Sequence, residues 1–246
     1  MKIGEITSED FMNAVGPDSV AILPIGAVEE HGAHLPLNTD TIQPEKVAED
    51  VENALESRGY TVLIAPTVNY GNCHSTANFP GTISISVDAL RAIVYDILTD
   101  FIRHGIENIV VLSGHAGRNH MAGLRMAAED ALEYGDVRIM VLSDYDIAYK
   151  DLGNTVPKDD GHGGMLETSR VLAIRPDLVK MNRAKESLPK FPPYRVLNDA
   201  ERYFPTGYMG YPDRATPELG AKSNESIALQ LTELIENMIK EGKTGE

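Results

Sequence analysis

The fold is indicated first by residues 20–40, VAILPIGAVEEHGAHLPLNTD. The stretch begins as an apolar run over residues 20–28 and then changes abruptly to acidic residues and histidines. A short apolar run that ends in polar residues is typical of a buried strand followed by a loop. In open α/β sheets, ligands bind beside the carboxyl ends of the strands. We therefore expect a strand at residues 20–28 and a polar site directly after it.

Three more apolar runs are similar to the first, and they lie at residues 61–68, 108–114 and 137–143. Longer segments with helical periodicity separate the runs. This alternation is typical of parallel strands joined by crossover helices. The sequence therefore predicts an α/β fold with a mainly parallel sheet, and a chain of 246 residues suits a single domain over residues 1–246.

The clearest predicted helix begins after Ser86, a residue that can cap a helix, and ends at Gly105. Its apolar residues fall at helical spacing and predict one buried stripe: Leu90, Ile93, Val94, Ile97, Phe101 and Ile102. Similar patterns predict helices at about residues 44–58, 119–134 and 226–240. The last of these is expected to bury Ile227, Leu231, Leu234, Ile235, Met238 and Ile239. Residues 188–220 are rich in Pro, Tyr and Gly, and they predict a long ordered excursion over the sheet.

The formal net charge is −15 and the isoelectric point is near 4.8. A field of this sign repels nucleic acid and anionic membranes, so we expect neither as a partner. A small-molecule partner is expected, although the acidity is equally well explained as a solubility trait. No stretch approaches the ~18 uninterrupted apolar residues of a membrane span, and we expect a cytoplasmic protein.

Cys73 is the only cysteine in the sequence, which excludes an internal disulfide and a thiolate-rich zinc site. A metal site is therefore expected to use histidine and carboxylate ligands. Thiol catalysis by Cys73 with the adjacent His74 is disfavoured because neighbouring residues rarely reach the required geometry. The sequence also lacks the motifs of a dinucleotide-binding turn, a P-loop, a serine hydrolase elbow and a zinc-protease helix.

The candidate metal ligands follow the predicted strands. Glu29 and His31 come after the first apolar run, and in extended backbone they share one face while Glu30 points to the other. His115 follows the third run in the same topological position. Together with Asp40, these residues can supply the mixed nitrogen and oxygen coordination that suits Zn, Mn or Fe.

A further histidine and acid, His162 and Glu167, lie in the segment GHGGMLET. The other histidines are expected to be ordinary polar residues, because a lone histidine near a strand end is more often hydrogen-bonded than a ligand: His34, His74, His104 and His120. His104 closes a predicted helix, where a cation suits the helix dipole.

Five blocks of the sequence belong together. The first is EEHGAHLPLNTD at residues 29–40, which follows a strand and Pro-x-Gly. The others are FPGTISIS at 79–86, SGHAGRN at 113–119, HGGMLETS at 162–169 and GYMGYPDRATPELG at 207–220. In content and order they resemble the blocks of the creatininase family. The resemblance covers nearly the whole chain and is far more specific than any single block.

The resemblance implies a three-layer α/β/α sandwich and a homo-oligomer, commonly a hexamer. It also implies a centre of two divalent ions (Zn, Mn or Fe) with four ligands: Glu29, His31, Asp40 and His115. In this scheme Asp40 bridges the ions, and the catalytic residues His162 and Glu167 line the reaction side. Glu167 is expected to orient or deprotonate water, and His162 to protonate the departing nitrogen. The implied activity is metal-dependent hydrolysis of a small non-peptide C–N amide bond.

Three departures from the family pattern concern the substrate. Creatininase proper has a glutamate ligand where Gly117 stands here, and a glutamate where Gly161 stands. It also encloses creatinine with tryptophans, and this chain has none. Relatives with glycine at the position of Gly117 include an archaeal deformylase, so a formamide or cyclic amide is expected, for example a formylaminopyrimidine nucleotide. The alternatives are creatinine amidohydrolase proper, a non-catalytic metal-stabilised protein on the same fold, and a nucleotide or sugar-phosphate binder.

Overall fold

The computed structural model describes residues 1–152 and 155–244. Within these residues, one sheet contains four strands: β1 (Ser19–Ile25), β2 (Thr61–Ile64), β3 (Asn108–Ser113) and β4 (Arg138–Ser143). Neighbouring strands are parallel throughout, and their order across the sheet is β2, β1, β3, β4. The carboxyl ends of the central strands β1 and β3 therefore lie side by side, with Ile25 in register with Ser113.

Seven α-helices accompany the sheet in the described residues: α1 (Ser8–Ala14), α2 (Thr39–Glu56), α3 (Val87–Arg103), α4 (Arg118–Ala131), α5 (Asp144–Leu152), α6 (Met165–Ile174) and α7 (Pro217–Thr244). Helices α2, α5, α6 and α7 contribute to the core on one face of the sheet, whereas α1, α3 and α4 pack on the other. The fold is therefore the expected three-layer α/β/α sandwich. None of the helices in residues 1–152 and 155–244 is long and apolar enough to cross a membrane.

Strand β1 shows why both faces of the sheet are covered. Val20 and Ile22 pack on the side of α2 and α7, and the intervening Ala21 and Leu23 pack on the side of α3 and α4. All residues of β1 are buried. Each large aliphatic side chain buried in this way contributes roughly 1.5–3 kcal/mol. The sheet thus supplies much of the stability, and the loops at its edge are left to carry polar groups.

Two strands are shorter than their apolar runs predict. β1 ends at Ile25 and not at residue 28. Directly after it, Gly26 approaches α2 so closely that a Cβ would lie 2.2 Å from Thr41 Oγ1. β2 ends at Ile64, and Val68 pairs with Ile25 only through an isolated bridge. Apolar composition indicates burial, and burial continues here past the last ladder hydrogen bond.

The predicted helices are all present, but two begin earlier than expected. The helix predicted at residues 44–58 begins at Thr39, so that Asp40 lies in its first turn. The helix predicted at residues 226–240 is α7, which begins at Pro217. Before it, the side chain of Thr216 accepts a hydrogen bond from Leu219 N. Thr-Pro is a helix-start pattern that the apolar periodicity does not include.

The details of the helix faces differ in part from the prediction. Ser86 caps α3 as expected by accepting a hydrogen bond from Ala89 N. Ile93 and Leu234, however, are each 44% exposed, although the apolar stripes included them. Helices α1, α5 and α6 were not predicted because each is too short to show a clear period. Of the excursion predicted at residues 188–220, residues 188–216 are irregular and contain short 3-10 turns, whereas residues 217–220 already belong to α7.

Candidate metal centre

The predicted ligands converge at the carboxyl edge of the sheet. Glu29 and His31 lie on the loop after β1, and His115 lies two residues past the end of β3. Asp40 enters from the first turn of α2, and Glu167 enters from the first turn of α6. All five side chains are buried. Two strand ends and two helix starts thus bring together residues that are far apart in the sequence.

One group of ligand atoms forms around His115 and is called the His115 subsite, consisting of Glu29, Asp40 and His115. The Nδ1 atom of His115 lies 2.9 Å from Glu29 Oε2 and 3.2 Å from Asp40 Oδ2. Its Nε2 donates a hydrogen bond of 3.1 Å to the carbonyl oxygen of Asn72. In the neutral ring this bond places the proton on Nε2 and turns the Nδ1 lone pair toward the two carboxylates.

A second group, the His31 subsite, consists of His31, Asp40 and Glu167. His31 Nε2 lies 3.1 Å from Asp40 Oδ1 and 3.6 Å from Glu167 Oε2, and its Nδ1 donates to the carbonyl oxygen of Glu29 at 3.0 Å. Asp40 therefore directs Oδ1 to one subsite and Oδ2 to the other. A carboxylate in this position can bridge two cations.

The hydrogen bonding of the cluster tests whether cations fit. Glu29 Oε2 and Asp40 Oδ2 are buried, and neither accepts a hydrogen bond from the described residues. These two oxygens and the Nδ1 lone pair of neutral His115 are three acceptors that face one another. Ligand atoms bound at about 2.0–2.2 Å to one ion lie roughly 3 Å apart, which matches the separations observed. A divalent cation would therefore satisfy the atoms that the protein leaves unpaired.

The electrostatics of the cluster also favour a bound cation. Burial by itself lowers the pKa of His31 and of His115, but the neighbouring carboxylates outweigh it and raise both pKa values well above normal. Burial raises the pKa of Glu29 and of Glu167, but the nearby histidines lower it, so the net shift of each is downward. The site thus keeps its carboxylates ionised and attracts positive charge, either as protons on the histidines or as divalent cations.

The two predicted catalytic residues lie next to the subsites. Glu167 Oε2 accepts a hydrogen bond of 2.5 Å from Gly163 N, and its Oε1 accepts one of 2.6 Å from the hydroxyl of Tyr145. The His162 ring lies 4.1 Å from the His31 ring, and its Nε2 donates to the carbonyl oxygen of Glu30 at 2.7 Å. With a side chain that is 21% exposed, His162 marks the side of the cluster that opens toward solvent.

Glu29 and His31 share a site, although β1 has already ended at Ile25. Glu30, expected to point away, is 6% exposed. Its Oε2 accepts from Gly32 N at 2.9 Å, and its Oε1 lies 3.7 Å from His162 Nε2. Glu30 therefore lies beside the site, which the alternation of a strand does not predict.

The remaining histidines lie outside the two subsites. His34 donates from Nε2 to the carbonyl oxygen of Gly163 at 3.0 Å, and burial lowers its pKa to about 4. His120 accepts from Asn72 N, and burial together with the charge of His115 lowers its pKa to about 3. Outside the cluster, His74 and His104 are exposed.

Three residues that sequence reasoning did not select contact the cluster. The Tyr145 hydroxyl donates to Glu167, and the Thr76 hydroxyl donates to Glu29 Oε1. Cys73 is buried beside Glu29 and His115, and burial with the adjacent carboxylates raises the pKa of its thiol. Of these three, only Tyr145 could have been predicted from the sequence, because it follows β4 at the same edge of the sheet.

The fold and the paired subsites define the class of protein as an α/β sandwich with a candidate centre for two metal ions. The family model described as creatininase, creatinine amidohydrolase, matches residues 4–235. A creatinine amidohydrolase from Pseudomonas putida is 32% identical over 214 residues, which cover 79% of this chain and 80% of that protein. A mycofactocin precursor peptide peptidase from Mycobacterium ulcerans is 29% identical over 214 residues, which cover 82% and 78% of the respective chains. This chain belongs to the creatininase family.

Solved structures agree with this assignment. A structure described as creatininase Mn superposes with a TM-score of 0.86 at 28% identity, covering 96% of this chain and 98% of that one. A mutant creatininase of Zn-Zn type superposes with a TM-score of 0.87 at 28% identity and the same coverage. The predicted family and three-layer fold are therefore confirmed, and the family contains hydrolases that carry Zn or Mn.

Proposed function

We propose that this protein is a metal-dependent amidohydrolase that uses two divalent cations to hydrolyse a C–N bond in a small polar amide. The observation that carries the proposal is the position of Asp40, whose two carboxylate oxygens face two different histidine subsites. A site for a single structural ion does not require a carboxylate placed between two sets of ligands. Zn, Mn and Fe(II) all suit this mixture of nitrogen and oxygen donors.

When bound, such cations supply Lewis acidity, which polarises a carbonyl group and makes water a better nucleophile near neutral pH. The protein's own residues prepare the site for this chemistry. Glu29, Asp40 and Glu167 supply negative charge, and the bonds from His31 and His115 to backbone carbonyls fix the ring orientations.

The open side of the cluster holds the groups that would act on the substrate. Glu167 is held at Oε1 by Tyr145 and at Oε2 by Gly163 N, and Oε2 also faces the His31 subsite, where it can orient an attacking water. Its low pKa favours this orienting role over storage of a proton. His162 lies beside His31 on the solvent side, where it can deliver a proton to the departing nitrogen.

We further propose a formamide or a cyclic amide as the substrate. Gly117 and Gly161 remove two acidic groups from the pattern of creatininase proper, and the chain has no tryptophan to enclose creatinine. On the open side, the ring of Phe204 lies 6.2 Å from that of His162. A site with altered charge and shape should bind the creatinine transition state poorly, and each ~1.4 kcal/mol lost is a tenfold lower rate.

The experiment measures amide hydrolysis after reconstitution with Zn, Mn or Fe(II). The panel contains creatinine, formylated aminopyrimidines, simple formamides and a short peptide, because relatives in the family act on creatinine and on a precursor peptide. We expect a formamide or cyclic amide to give the highest kcat/KM and removal of metal to abolish turnover. Higher activity on creatinine or on the peptide would contradict the substrate proposal.

A variant pair tests the two-cation centre directly. Asp40→Ala should lower the metal content toward zero and abolish hydrolysis while the fold survives. The matched control is Asp100→Asn, which changes an exposed carboxylate on α3 and should leave metal content and rate unchanged. Retention of two ions per chain by Asp40→Ala would refute the bridging role, and metal binding without turnover of any amide would favour a non-catalytic binding protein.

A further inference from the structure

Cys73 lies against the His115 subsite, although its sequence position does not suggest a ligand. The ligand atoms of Cys73, Glu29 and His115 all lie within 4.8 Å of one another. The side chain of Cys73 is buried, with 2% of its surface exposed. It is also the only sulfhydryl group in the sequence. A buried cysteine is often only a small apolar residue, so the surroundings must decide its role.

The backbone near Cys73 is fixed by contacts with the subsite itself. The preceding residue, Asn72, accepts the hydrogen bond from His115 Nε2 at 3.1 Å. Thr76, three residues later, donates to Glu29 Oε1, and its hydroxyl also lies 3.3 Å from the carbonyl oxygen of Cys73. The same short segment therefore orients one histidine and one carboxylate of the subsite and places a sulfur atom beside both.

Two unpartnered atoms point into this place independently of the cysteine. Glu29 Oε2 and Asp40 Oδ2 belong to side chains that are 3% and 1% exposed, and neither has a hydrogen-bond partner among the described residues. Both face His115 Nδ1 at 2.9 and 3.2 Å. These three atoms are fewer than the four ligands that zinc normally takes. Gly117 offers none, and a Cβ there would lie 2.5 Å from His115 Nε2.

We infer that Cys73 is a fourth protein ligand of the cation in the His115 subsite. The inference rests on the proposed function only in requiring that this subsite holds a divalent cation. On coordination the S–H bond is replaced by a sulfur–metal bond, and the thiol proton leaves to solvent. The two subsites then differ in chemistry, because the His115 subsite contains sulfur and the His31 subsite offers only nitrogen and oxygen. Thiolate ligands favour zinc over manganese, so the two positions should differ in metal preference.

The experiment loads the full-length protein with Co(II), which reports sulfur ligation through a charge-transfer absorption band in the near ultraviolet. Because the chain has one cysteine, such a band can arise only from Cys73. We expect the band in the wild-type protein, and we expect it to be lost in Cys73→Ser while cobalt remains bound. The matched control is His74→Gln, which changes the exposed neighbouring side chain and should retain the band.

Two further measurements do not depend on the serine variant. A thiol reagent should label Cys73 more slowly in the cobalt-loaded protein than in the metal-free protein. In competition between Zn and Mn, Cys73→Ala should lower the preference for Zn by roughly tenfold or more, since even loss of an outer-shell partner costs about 10–100-fold in metal affinity. Cobalt-loaded protein without the band, or with unchanged labelling of Cys73, would overturn the inference.

These outcomes are distinct from failure of the proposed function. Amide hydrolysis by a cobalt protein that lacks the band would overturn the thiolate ligand and leave the activity standing. A charge-transfer band without turnover of any amide in the panel would support the thiolate ligand and contradict the proposed activity. A wild-type protein that binds no cobalt at all would overturn both, because the inference requires a cation in the His115 subsite.

Discussion

Replacing Tyr145 with phenylalanine should weaken the site by removing a hydrogen bond that holds Glu167, which then keeps the one from Gly163 N. The Tyr145 hydroxyl donates to Glu167 Oε1 at 2.6 Å, and the nearest alternative donor, Gln43 Nε2, is 3.4 Å from the same oxygen. A hydrogen bond to a charged group contributes roughly 1.5–3 kcal/mol. Because Glu167 is buried, we expect Tyr145→Phe to lower the unfolding free energy of the metal-free protein by about 2 kcal/mol.

The substitution isolates the hydroxyl from the packing of the ring. The guanidinium of Arg170 lies 5.0 Å from the centre of the Tyr145 ring, and this cation–π contact persists in phenylalanine. The buried ion pair of Arg170 with Asp144, at 2.7 Å, is also left intact. Metal affinity should fall by about 10–100-fold, the usual effect of losing a group that orients a ligand. Urea unfolding and zinc titration measure the two effects separately.

The matched control is Tyr149→Phe. Its ring lies 5.9 Å from that of Tyr145, and the residue is 37% exposed. We expect this control to change stability by no more than about 0.5 kcal/mol, as for most surface substitutions. Equal stability and equal zinc affinity in the two variants would show that Glu167 does not depend on Tyr145 for its orientation.

Three further predictions follow from other parts of the molecule. Burial lowers the pKa of His34 from 6.5 to about 4, so between these pH values the unfolded chain binds a proton that the folded chain does not, and stability should fall as the pH falls. Urea unfolding over this pH window measures the effect. For each pH unit of acidification, the unfolding free energy of His34→Gln should fall by up to about 1.4 kcal/mol less than that of the wild type. An equal pH dependence of the two proteins would show that His34 does not cause the loss of stability. Gly114→Ala would place a Cβ 2.1 Å from the carbonyl oxygen of Asp40 and should lower the unfolding free energy by about 1–3 kcal/mol and reduce metal retention in dialysis. Gly16→Ala, where a Cβ meets nothing within 4 Å, should leave metal retention unchanged. Sedimentation should show a homo-oligomer, for which we propose a hexamer, and a monomer at micromolar concentration would contradict this.

The convergence of the site was predictable because parallel topology imposes it. Apolar runs located the four strands of the described sheet, and the polar residues after the first and third runs had to meet at one edge of the sheet. The predicted Glu29 and His115 are in contact for this reason. What the runs did not provide was the end of β1 and of β2, since burial and ladder pairing stop at different residues there.

The residues that orient the ligands were much harder to predict. Thr76 and Cys73 reach the cluster from an irregular segment before α3, and no periodicity or motif marks them. Glu30 is buried by contacts with distant and local backbone, since its Oε2 accepts from Gly32 N and its carboxylate lies against Gly207. Such contacts depend on how helices and loops pack on the sheet, which local sequence patterns do not determine.

The dispersal of the ligands along the chain has a consequence for how the protein matures. His31 and Asp40 lie in the first 40 residues, whereas Glu167 lies on α6, so a nascent chain cannot complete the His31 subsite until β3, β4 and α6 have been synthesised and packed. Metal binding should therefore occur late in folding, after the three layers have assembled, and should stabilise them. An ion at one hundred times its dissociation constant then adds about 2.7 kcal/mol to the folded state. Depletion of metal during growth should accordingly raise the susceptibility of the newly made protein to proteolysis.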